Sequence, residues 1–310
     1  MILITGCSGY IGSQIAHVLN KNKIKFIGID NLKCSYQKNF RFKNNFHELD
    51  ISDKKILRLI HQWNVTTVIH SAAYAYVNEG EKNKSKYYLN NVRNTKKFIN
   101  YCVQGKIKNF IFLSSSNVYK DTKNKFTEKT KIDPKNNYGK NKIEIENFLK
   151  KKTFKSKVIL RLFNIIGISR KFYIFKPKIR YQRIFFRLLD RKFKPKIKYY
   201  LDKKIKKYPH RDFVDVKDLG NLIVKIIKKL KIVKINNTFN VGSGKSISIF
   251  KLYGKFKKFK KISKPIFKLL KKEELLKTQA NISKTKRYFR WKPVIELNNS
   301  IKSTIKLSKI

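Results

Sequence analysis

Short apolar runs alternate with amphipathic segments through the first half of the chain, and this alternation limits the possible folds more than any other feature. Each apolar run has the length of a buried strand, and each amphipathic segment repeats its apolar residues with a helical period. Strand, helix and strand in succession indicate parallel pairing with right-handed crossovers, hence an α/β fold with a doubly wound parallel sheet. The predicted strands are Ile2–Ile4, Lys25–Ile29, Thr67–His70, Phe110–Leu113 and Val158–Leu162, and the predicted helices are Ile11–Asn20, Lys54–Gln62, Tyr88–Val103 and Tyr138–Lys150.

The pattern loosens after Asn164, which predicts a second and smaller α/β region. A basic, aromatic stretch with two prolines, Pro177 and Pro195, comes first, and a helix is predicted over Arg180–Leu189. We place the domains at residues 1–167 and 168–310, with segments free to cross between them. The later predicted elements are a strand at Phe213–Val214, a helix at Leu219–Leu230 and a strand at Asn237–Val241.

The chain has a large excess of positive charge. Its 75 Lys and Arg residues against 19 Asp and Glu give a formal net charge of +56, and only 12 of the basic residues are Arg. The lysines are scattered rather than gathered in one stripe, and Ile, Asn, Phe and Tyr are abundant too. We interpret the excess as AT-rich coding with solvated surface lysines, and a selected polyanion site is the alternative. Either way the surface attracts phosphates at low salt.

Cysteine usage and hydropathy indicate the compartment. Cys7, Cys34 and Cys102 are widely spaced, which predicts reduced thiols and no disulfide framework or metal site. The first residues, MILITG, enter a strand directly, and no apolar stretch approaches the length of about 18 residues that a membrane span needs. We therefore expect a cytoplasmic protein that binds no membrane and no specific nucleic acid.

A glycine-rich turn follows the first predicted strand and opens the first predicted helix. Gly6 permits the tight turn, Gly9 lets the backbone approach a pyrophosphate, and Gly12 lets the helix pack on the sheet. The helix N-terminus supplies N–H groups and partial positive charge for phosphates. Asp30, 18 residues after Gly12, can accept ribose hydroxyls and repel a 2′-phosphate. These features predict a Rossmann-type site for NAD rather than NADP, and a plain turn with a strand-end aspartate is the alternative.

A second glycine segment, Gly242-Ser243-Gly244-Lys245-Ser246, ends like a nucleotide-binding P-loop. The first glycine of that motif would have to stand at position 239, which is Phe239. We therefore do not predict a nucleoside triphosphatase.

Tyr138 and Lys142 are four residues apart in a predicted helix, so they share one face. An ammonium one turn from a phenol stabilises the phenolate, which can then serve as a general base. Such pairs arise by chance in a chain this rich in both residues. This pair, however, begins the helix after the strand that ends at Ser114–Ser116, at the edge where such sheets bind ligands. A serine hydroxyl there can share a proton with the phenol and a substrate oxygen.

A series of short motifs follows one order along the chain. In that order they resemble the extended short-chain dehydrogenase/reductases, and over essentially the whole length the UDP-glucose 4-epimerases of that family. The motifs are Thr5-Gly6-x-x-Gly9-x-x-Gly12, Asp30-Asn31-Leu32, Leu49-Asp50-Ile51, His70-Ser71-Ala72-Ala73, Asn90-Asn91-Val92, Ser115-x-x-Val118-Tyr119, Tyr138-x-x-x-Lys142, Leu160-Arg161-Leu162-Phe163-Asn164, His210-Arg211-Asp212-Phe213-Val214-Asp215 and Phe239-Asn240-Val241-Gly242-Ser243-Gly244.

The resemblance implies a homodimeric enzyme that interconverts UDP-glucose and UDP-galactose through a 4-keto intermediate with tightly bound NAD. It implies that residues 1–167 bind NAD, that 168–310 bind the UDP-sugar, and that Ser115, Tyr138 and Lys142 are catalytic. Asn164 and Arg211 join Ser115 and Tyr138 as the implied substrate contacts. The implied NAD contacts are Gly6, Gly9, Tyr10, Ile11, Gly12, Asp30, Asn31, Asp50, Ile51, Ser71, Ala72, Ala73, Asn90, Tyr138, Lys142 and Phe163.

Several alternatives stay open at this point. Asp50 is alternatively a turn or cap residue, and Arg211 a surface partner of Asp212. The family places an Arg and an Asp near Lys271–Glu274, where this chain reads Lys-Lys-Glu-Glu. The sugar of the UDP-sugar substrate therefore stays undecided, and arabinose, glucuronate or an N-acetylhexosamine are the alternatives. Ser115-Ser116-Asn117 replaces the Asp-Glu pair of the related 4,6-dehydratases, which disfavours dehydration. A non-catalytic NAD-binding module with a basic surface for polyanions is the remaining alternative.

The resemblance also implies how a dimer would form. Tyr88–Val103 and Tyr138–Lys150 resemble the pair of helices that makes a four-helix interface in the family. We expect Phe98, Ile99, Ile145 and Phe148 to supply its apolar contacts.

Overall fold

The computed structural model describes residues 1–36, 39–169, 172–173, 184–189 and 194–309. Short 3-10 helices lie at Lys43–Asn45 and Ser116–Val118, and a π-helix lies at Leu89–Asn94. The strands are β1 Ile2–Thr5, β2 Phe26–Asp30, β3 Phe46–Glu48, β4 Thr67–His70, β5 Asn109–Ser115, β6 Ser156–Leu162, β7 Asn164–Ile166, β8 Phe172–Tyr173, β9 Lys196–Asp202, β10 Ile205–Lys207, β11 His210–Asp215, β12 Asn236–Val241, β13 Ser246–Ser248, β14 Ile266–Leu269 and β15 Ser308–Lys309. The α-helices are α1 Tyr10–Lys21, α2 Lys55–Gln62, α3 Val77–Lys82, α4 Lys84–Tyr88, α5 Thr95–Gln104, α6 Asn137–Lys150, α7 Ile184–Arg187, α8 Val216–Leu230, α9 Ile249–Lys257, α10 Ser283–Phe289 and α11 Leu297–Leu307.

The main sheet has seven strands in the order β12-β6-β5-β4-β1-β2-β3, and every pairing in it is parallel. Successive residues of each strand point to opposite faces, and both faces are covered. In β1, Ile2 and Ile4 join the core under α1 and α8, whereas Leu3 joins the core under α2, α5 and α6. Burial on both faces explains why these strands read as continuous apolar runs. The predicted doubly wound α/β fold is confirmed.

The chain reverses its winding direction between β1 and β4. Their carboxyl ends lie side by side, with Thr5 paired to His70, so the loops that leave them open a crevice at this edge of the sheet. Crevices at such a switch point are where open α/β sheets bind ligands. The fold therefore brings the glycine turn after β1 and the segment Ser71–Ala73 to the same place.

The second half of the chain forms smaller sheets and also returns to the main one. The small sheets have the orders β10-β9-β14, β13-β11-β7 and β15-β8. Strand β12 pairs with β6 at the edge of the main sheet, and α8 packs on α1. Segments beyond residue 168 therefore do cross over, while the division into an NAD half and a substrate half stays a prediction.

Two predicted helices differ from the structure. The segment predicted as helical, Tyr88–Val103, is helical throughout, but it comprises the end of α4, a π-helical stretch and α5. Single π-helical turns are frequent at functional sites. Of the helix predicted over Arg180–Leu189, the structure shows α7; Arg180 and the neighbouring Pro177 lie outside the described residues.

Three of the residues expected at a dimer interface lie inside the chain's own core. Phe98, Ile99 and Ile145 are at most 1% exposed and pack between α5, α6 and the sheet. That assignment was wrong, because an apolar helical stripe fits a chain's own sheet as well as a partner chain. Of the four, only Phe148 is partly exposed. Within the described ranges, no helix has both the length and the apolar character to cross a membrane.

Candidate active site

The glycine turn after β1 is held tightly against the loop that follows β4. Gly6 has φ +64°, and a Cβ there would lie 2.8 Å from the Cα of Ala72. A Cβ at Gly12 would lie only 2.2 Å from the carbonyl oxygen of Gly6. Thr5 Oγ1 accepts the backbone N–H groups of Ser71 and Ala72, each at 3.2 Å. Side chains at these glycines would push the turn out of place, so the motif has the close packing that its spacing predicts.

Asp30 ends β2 beside this turn. Its carboxylate accepts hydrogen bonds from Ser8 N at 3.0 Å, Leu32 N at 2.9 Å and Ser35 Oγ at 2.9 Å. Burial raises the pKa of Asp30, and these donors oppose that rise. Asp30 lines the cavity described below and also fixes the glycine turn through Ser8, a structural role that the sequence did not reveal.

Asp50 accepts hydrogen bonds within its own loop and from neighbouring segments. Its Oδ1 accepts Ser52 N at 3.0 Å and Ser52 Oγ at 2.8 Å, and its Oδ2 accepts Asn31 Nδ2 at 2.7 Å. Burial raises the pKa of Asp50, but these hydrogen bonds outweigh it and hold the pKa below its usual value. The geometry favours the turn-residue alternative for Asp50, while Asn31 faces the cavity.

One large cavity of about 830 Å³ runs from the glycine turn to the small sheets. Of the residues predicted to bind cofactor or substrate, Asp50 alone is not in its lining. The predicted residues that do line it are Gly6, Gly9, Tyr10, Ile11, Gly12, Asp30, Asn31, Ile51, Ser71, Ala72, Ala73, Asn90, Ser115, Tyr138, Lys142, Phe163, Asn164 and Arg211.

Tyr138 and Lys142 lie on one face of α6, both at most 9% exposed. Lys142 Nζ donates to the carbonyl oxygen of Leu113 at 2.8 Å and lies 5.8 Å from the centre of the Tyr138 ring. Burial lowers the pKa of Lys142 to about 7, and the nearby carboxylate of Glu146 works against that shift. Lys142 is therefore partly protonated at neutral pH, and its ammonium form lies in reach of the phenol at the end of β5.

Ser115 is the last residue of β5 and is 6% exposed. Its Oγ accepts hydrogen bonds from the backbone N–H of Asn117 at 3.2 Å and from Asn117 Nδ2 at 3.1 Å. The preceding Ser114 points the other way, into the core, where its hydroxyl donates to Glu146 Oε1 at 2.5 Å. Ser114 is thus bound to the buried carboxylate of Glu146, whereas Ser115 is not.

Asn164 and Arg211 lie on the paired strands β7 and β11. Asn164 Nδ2 donates to the carbonyl of Asp212 at 3.1 Å, and Arg211 Nη1 donates to the carbonyl of His210 at 2.8 Å. Burial lowers the pKa of Arg211, and the charges of Glu274 and Asp121 oppose this. Both side chains therefore reach the cavity from adjacent strands.

Asp212 does not pair with Arg211. Its buried carboxylate accepts the backbone N–H groups of Ser243 at 2.7 Å, Gly244 at 3.0 Å and Ala280 at 2.9 Å. The surface ion pair considered for Arg211 is therefore wrong. The same bonds occupy N–H groups of the P-loop-like segment, which agrees with its exclusion as a phosphate loop.

Several residues of the site had no clear sequence signal. Glu81 accepts both the N–H and the Nδ2 of Asn137, each at 2.7 Å, and so fixes the start of α6. Lys198 forms an ion pair with Glu274 at the far end of the cavity. Asn136 is the N-cap of α6 through Gly139 N at 2.8 Å. Of these residues, only the N-cap Asn136 could have been found from the sequence, because asparagine is favoured at the N-cap of a helix.

The family model of the NAD dependent epimerase/dehydratase family matches residues 2–242. The chain belongs to this family. The predicted membership of an NAD-dependent family of sugar-nucleotide enzymes is thereby confirmed.

Relatives of known function match part of the chain. UDP-glucose 4-epimerase of Haemophilus influenzae is 36% identical over 181 residues, which cover 54% of this chain and 53% of that protein. Bifunctional protein gal10 of Schizosaccharomyces pombe is 34% identical over 184 residues, 54% of this chain and 26% of that protein. The dTDP-D-glucose 4,6-dehydratase of Dictyostelium discoideum is 32% identical over 193 residues, 54% of this chain and 44% of that protein. The match thus spans about half the length of the Haemophilus relative and less than half the length of the other two.

Solved structures match over nearly the whole chain. UDP-glucose 4-epimerase from Brucella ovis in complex with NAD has a TM-score of 0.87 and 24% identity, covering 97% of this chain and 95% of that one. UDP-glucuronic acid 4-epimerase from Bacillus cereus, in complex with UDP-glucuronic acid and NAD, has a TM-score of 0.81 and 25% identity, covering 99% and 98%. These similarities show that the family fold extends through the second half of the chain.

Proposed function

We propose that the protein is a UDP-sugar 4-epimerase that retains NAD and interconverts UDP-glucose and UDP-galactose. The observation that carries this proposal is that Asp30, Ser115, Tyr138 and Lys142 line one cavity together with the glycine turn. A dinucleotide site and a proton-transfer group thus share the same space. A binding module without catalysis has no need of a buried Tyr138–Lys142 pair, so this arrangement supports an enzyme.

The residues of the first half fit NAD. The helix α1 begins beside Gly9, which provides no side-chain cap, so the first turn can present backbone N–H groups to a pyrophosphate. The carboxylate of Asp30 disfavours a 2′-phosphate by charge repulsion. When bound, NAD accepts a hydride from the sugar and returns it.

The residues at the catalytic end supply the proton transfer. In the proposed scheme the Tyr138 phenolate takes the proton of the sugar 4-hydroxyl and later returns it to the 4-keto intermediate. The Lys142 ammonium stabilises that phenolate while its bond to Leu113 holds it in place. Between these two proton transfers the keto sugar turns over in the cavity, while contacts to the UDP part keep it from leaving.

The opposite end of the cavity is suited to the diphosphate and the sugar. Arg211, with its planar fork of donors, and Asn164 lie on adjacent strands there. Lys198 adds a cation whose charge is partly balanced by Glu274. Of these groups, only Glu274 belongs to the segment Lys271–Glu274, where the family resemblance implies an Arg and an Asp.

UDP-glucuronate is the second candidate substrate. The substrate end of the cavity has Arg187, Lys196, Lys198 and Arg211 in its lining against Glu273 and Glu274, an excess of cations that would suit a second anionic group. Dehydration is less favoured, since Ser116 and Asn117 supply no carboxylic acid after β5.

Incubation of the pure protein with single UDP-sugars tests the proposal. We expect NMR spectra to show UDP-galactose converting to UDP-glucose until both reach equilibrium. UDP-glucuronate, UDP-arabinose and UDP-N-acetylglucosamine are the comparison substrates. Conversion of UDP-glucuronate alone would show that UDP-glucuronate is the substrate. A 4-keto-6-deoxy product would show that the enzyme is a dehydratase and not an epimerase.

We expect the protein to retain NAD through purification, because the proposed cycle never releases a reduced cofactor. Denaturation of the pure protein and enzymatic assay of the supernatant would give close to one NAD per chain. An equal amount of NADP, or no nucleotide together with weak NAD binding, would contradict the proposed role of Asp30.

We also expect a homodimer, formed through the outer faces of α5 and α6. With Phe98 and Ile145 buried in the chain, the exposed apolar groups near these helices are Tyr88, 42% exposed, and Leu89, 50% exposed. Lys97 and Lys140, both exposed, would bring like charges near a two-fold axis, whereas Lys96 is paired with Glu144; added salt should therefore hold or tighten the dimer by screening. Sedimentation at low and at physiological salt measures this; a fully active monomer at micromolar concentration in physiological salt would contradict it.

A further inference from the structure

Ser115 stands at the end of a chain of hydrogen bonds through two asparagines that the scheme above does not use. Asn117 donates to Ser115 Oγ from its backbone N–H and from Nδ2. Asn136 Nδ2 donates to Asn117 Oδ1 at 3.3 Å. The N–H of Gly139, one turn into α6, donates to Asn136 Oδ1 at 2.8 Å. These hydrogen bonds therefore connect the end of β5 with the start of α6, the helix that carries Tyr138.

The backbone fixes the direction of every bond in this chain. A backbone N–H only donates, so Asn136 must turn its oxygen to Gly139 and its nitrogen to Asn117. The carbonyl oxygen of Glu273, 3.2 Å from Asn136 Nδ2, requires the same orientation. Asn117 must then turn Oδ1 to Asn136 and Nδ2 to Ser115. Amide orientations that depend on such a network are set by their obligatory neighbours.

A serine hydroxyl has two lone pairs and one proton. Asn117 fills both lone pairs of Ser115, whose side chain lines the cavity. We propose that Asn117 is a positioning residue that keeps Ser115 a hydrogen-bond donor to the sugar 4-oxygen, so that Ser115 does not relay the proton. The 4-hydroxyl proton then passes directly to the Tyr138 phenolate as the C4 hydride leaves to NAD, and the O–H bond of Ser115 stays intact. This inference rests on the proposed epimerase function.

The variant Asn117→Asp tests the proposal, because it replaces the donating NH2 with an oxygen of nearly the same size. One oxygen of the introduced carboxylate still accepts from Asn136. The other accepts a hydrogen bond from the Ser115 hydroxyl and so turns that O–H away from the sugar. We expect kcat to fall by about a hundredfold, the scale for loss of one aligned donor, with KM and bound NAD little changed. Asn124→Asp is the matched control, since Asn124 is exposed and the charge change is the same.

The pH dependence separates a donor role from a general packing role. As pH falls through the pKa of the introduced carboxyl, the acid gains an O–H that can donate to Ser115 again. The ratio of the Asn117→Asp kcat to the wild-type kcat should therefore rise about tenfold from about pH 8 to about pH 5. A ratio that does not change with pH, or a kcat equal to that of the wild type, would overturn the proposal.

Two further measurements complete the test. In a Ser115→Ala background, Asn117→Asp should cause no additional loss, because its target is gone; an additional loss would show that Asn117 acts by another route. Crystal structures of Asn117→Asp with NAD should show a rotated Ser115 side chain at high pH, and an unchanged one would also overturn the proposal. The crystal structures need no turnover, so an unrotated Ser115 would contradict the positioning role of Asn117 itself, whereas inactivity of the wild type on UDP-sugars would contradict the proposed function on which the inference rests.

Discussion

Replacing Tyr138 with Phe should lower kcat by about a hundredfold or more while the protein folds and retains NAD. The change removes only the phenolic oxygen that we propose as the general base. The ring stays in place at the start of α6, and Lys142 keeps its bond to the carbonyl of Leu113. Turnover of UDP-galactose, NAD content and thermal unfolding measured on the same preparation separate the loss of chemistry from the loss of structure.

Tyr253→Phe is the matched control for this variant. Tyr253 is 8% exposed, close to the 9% of Tyr138, and its hydroxyl donates to the carbonyl of Ser263 at 3.2 Å, away from the cavity lining. We expect the control to keep wild-type turnover. Full activity of Tyr138→Phe would rule out its phenol as the base, and failure of that variant to fold would show a structural role instead.

Removing either member of the buried Glu146–Arg161 pair should destabilise the protein by about 3–5 kcal/mol, the usual cost of leaving one buried charge unpaired. The two side chains are at most 4% exposed, and Arg161 donates to Glu146 at 3.0 Å from Nε and 2.6 Å from Nη2. The hydroxyl of Ser114 donates to the same carboxylate. Glu146→Ala and Arg161→Ala should each lower the urea midpoint of unfolding strongly.

An apolar double replacement makes this prediction sharper. Glu146→Leu combined with Arg161→Met removes both charges together, so it should cost less than either alanine variant. Lys207→Ala serves as the control, because the pair of Lys207 with Asp202 is exposed and should contribute little. Single variants no less stable than the control would contradict the importance of the buried pair.

The parts of the fold that local periodicity determines were predictable. The strand predicted at Thr67–His70 matches β4 residue for residue, because burial on both faces leaves a continuous apolar run bounded by polar residues. The helix predicted at Tyr138–Lys150 differs from α6 by one residue. The glycine turn was predictable for a similar reason, since a left-handed φ at Gly6 leaves a mark in the sequence.

Features that depend on partners far along the chain were not predictable. Arg161 stands out as a charge within a predicted apolar strand, but nothing in the sequence identifies Glu146 as its partner. Only the packing of α6 on β5 and β6 brings the two side chains together. The same is true of Asn117 and Asn136, which meet only when α6 packs against the end of β5. Phe98 illustrates the opposite error, because an apolar helical stripe does not identify the surface that covers it.

Strand β12 affects the order in which this protein can assemble during synthesis. Until residues 236–241 have left the ribosome, β6 has no neighbour on its outer side, and its backbone N–H and C=O groups can pair with another chain. The contact that closes this edge joins segments roughly 80 residues apart, which slows its formation relative to the local βα units. We therefore expect a truncation before β12 to leave the outer edge of β6 unpaired, which favours aggregation.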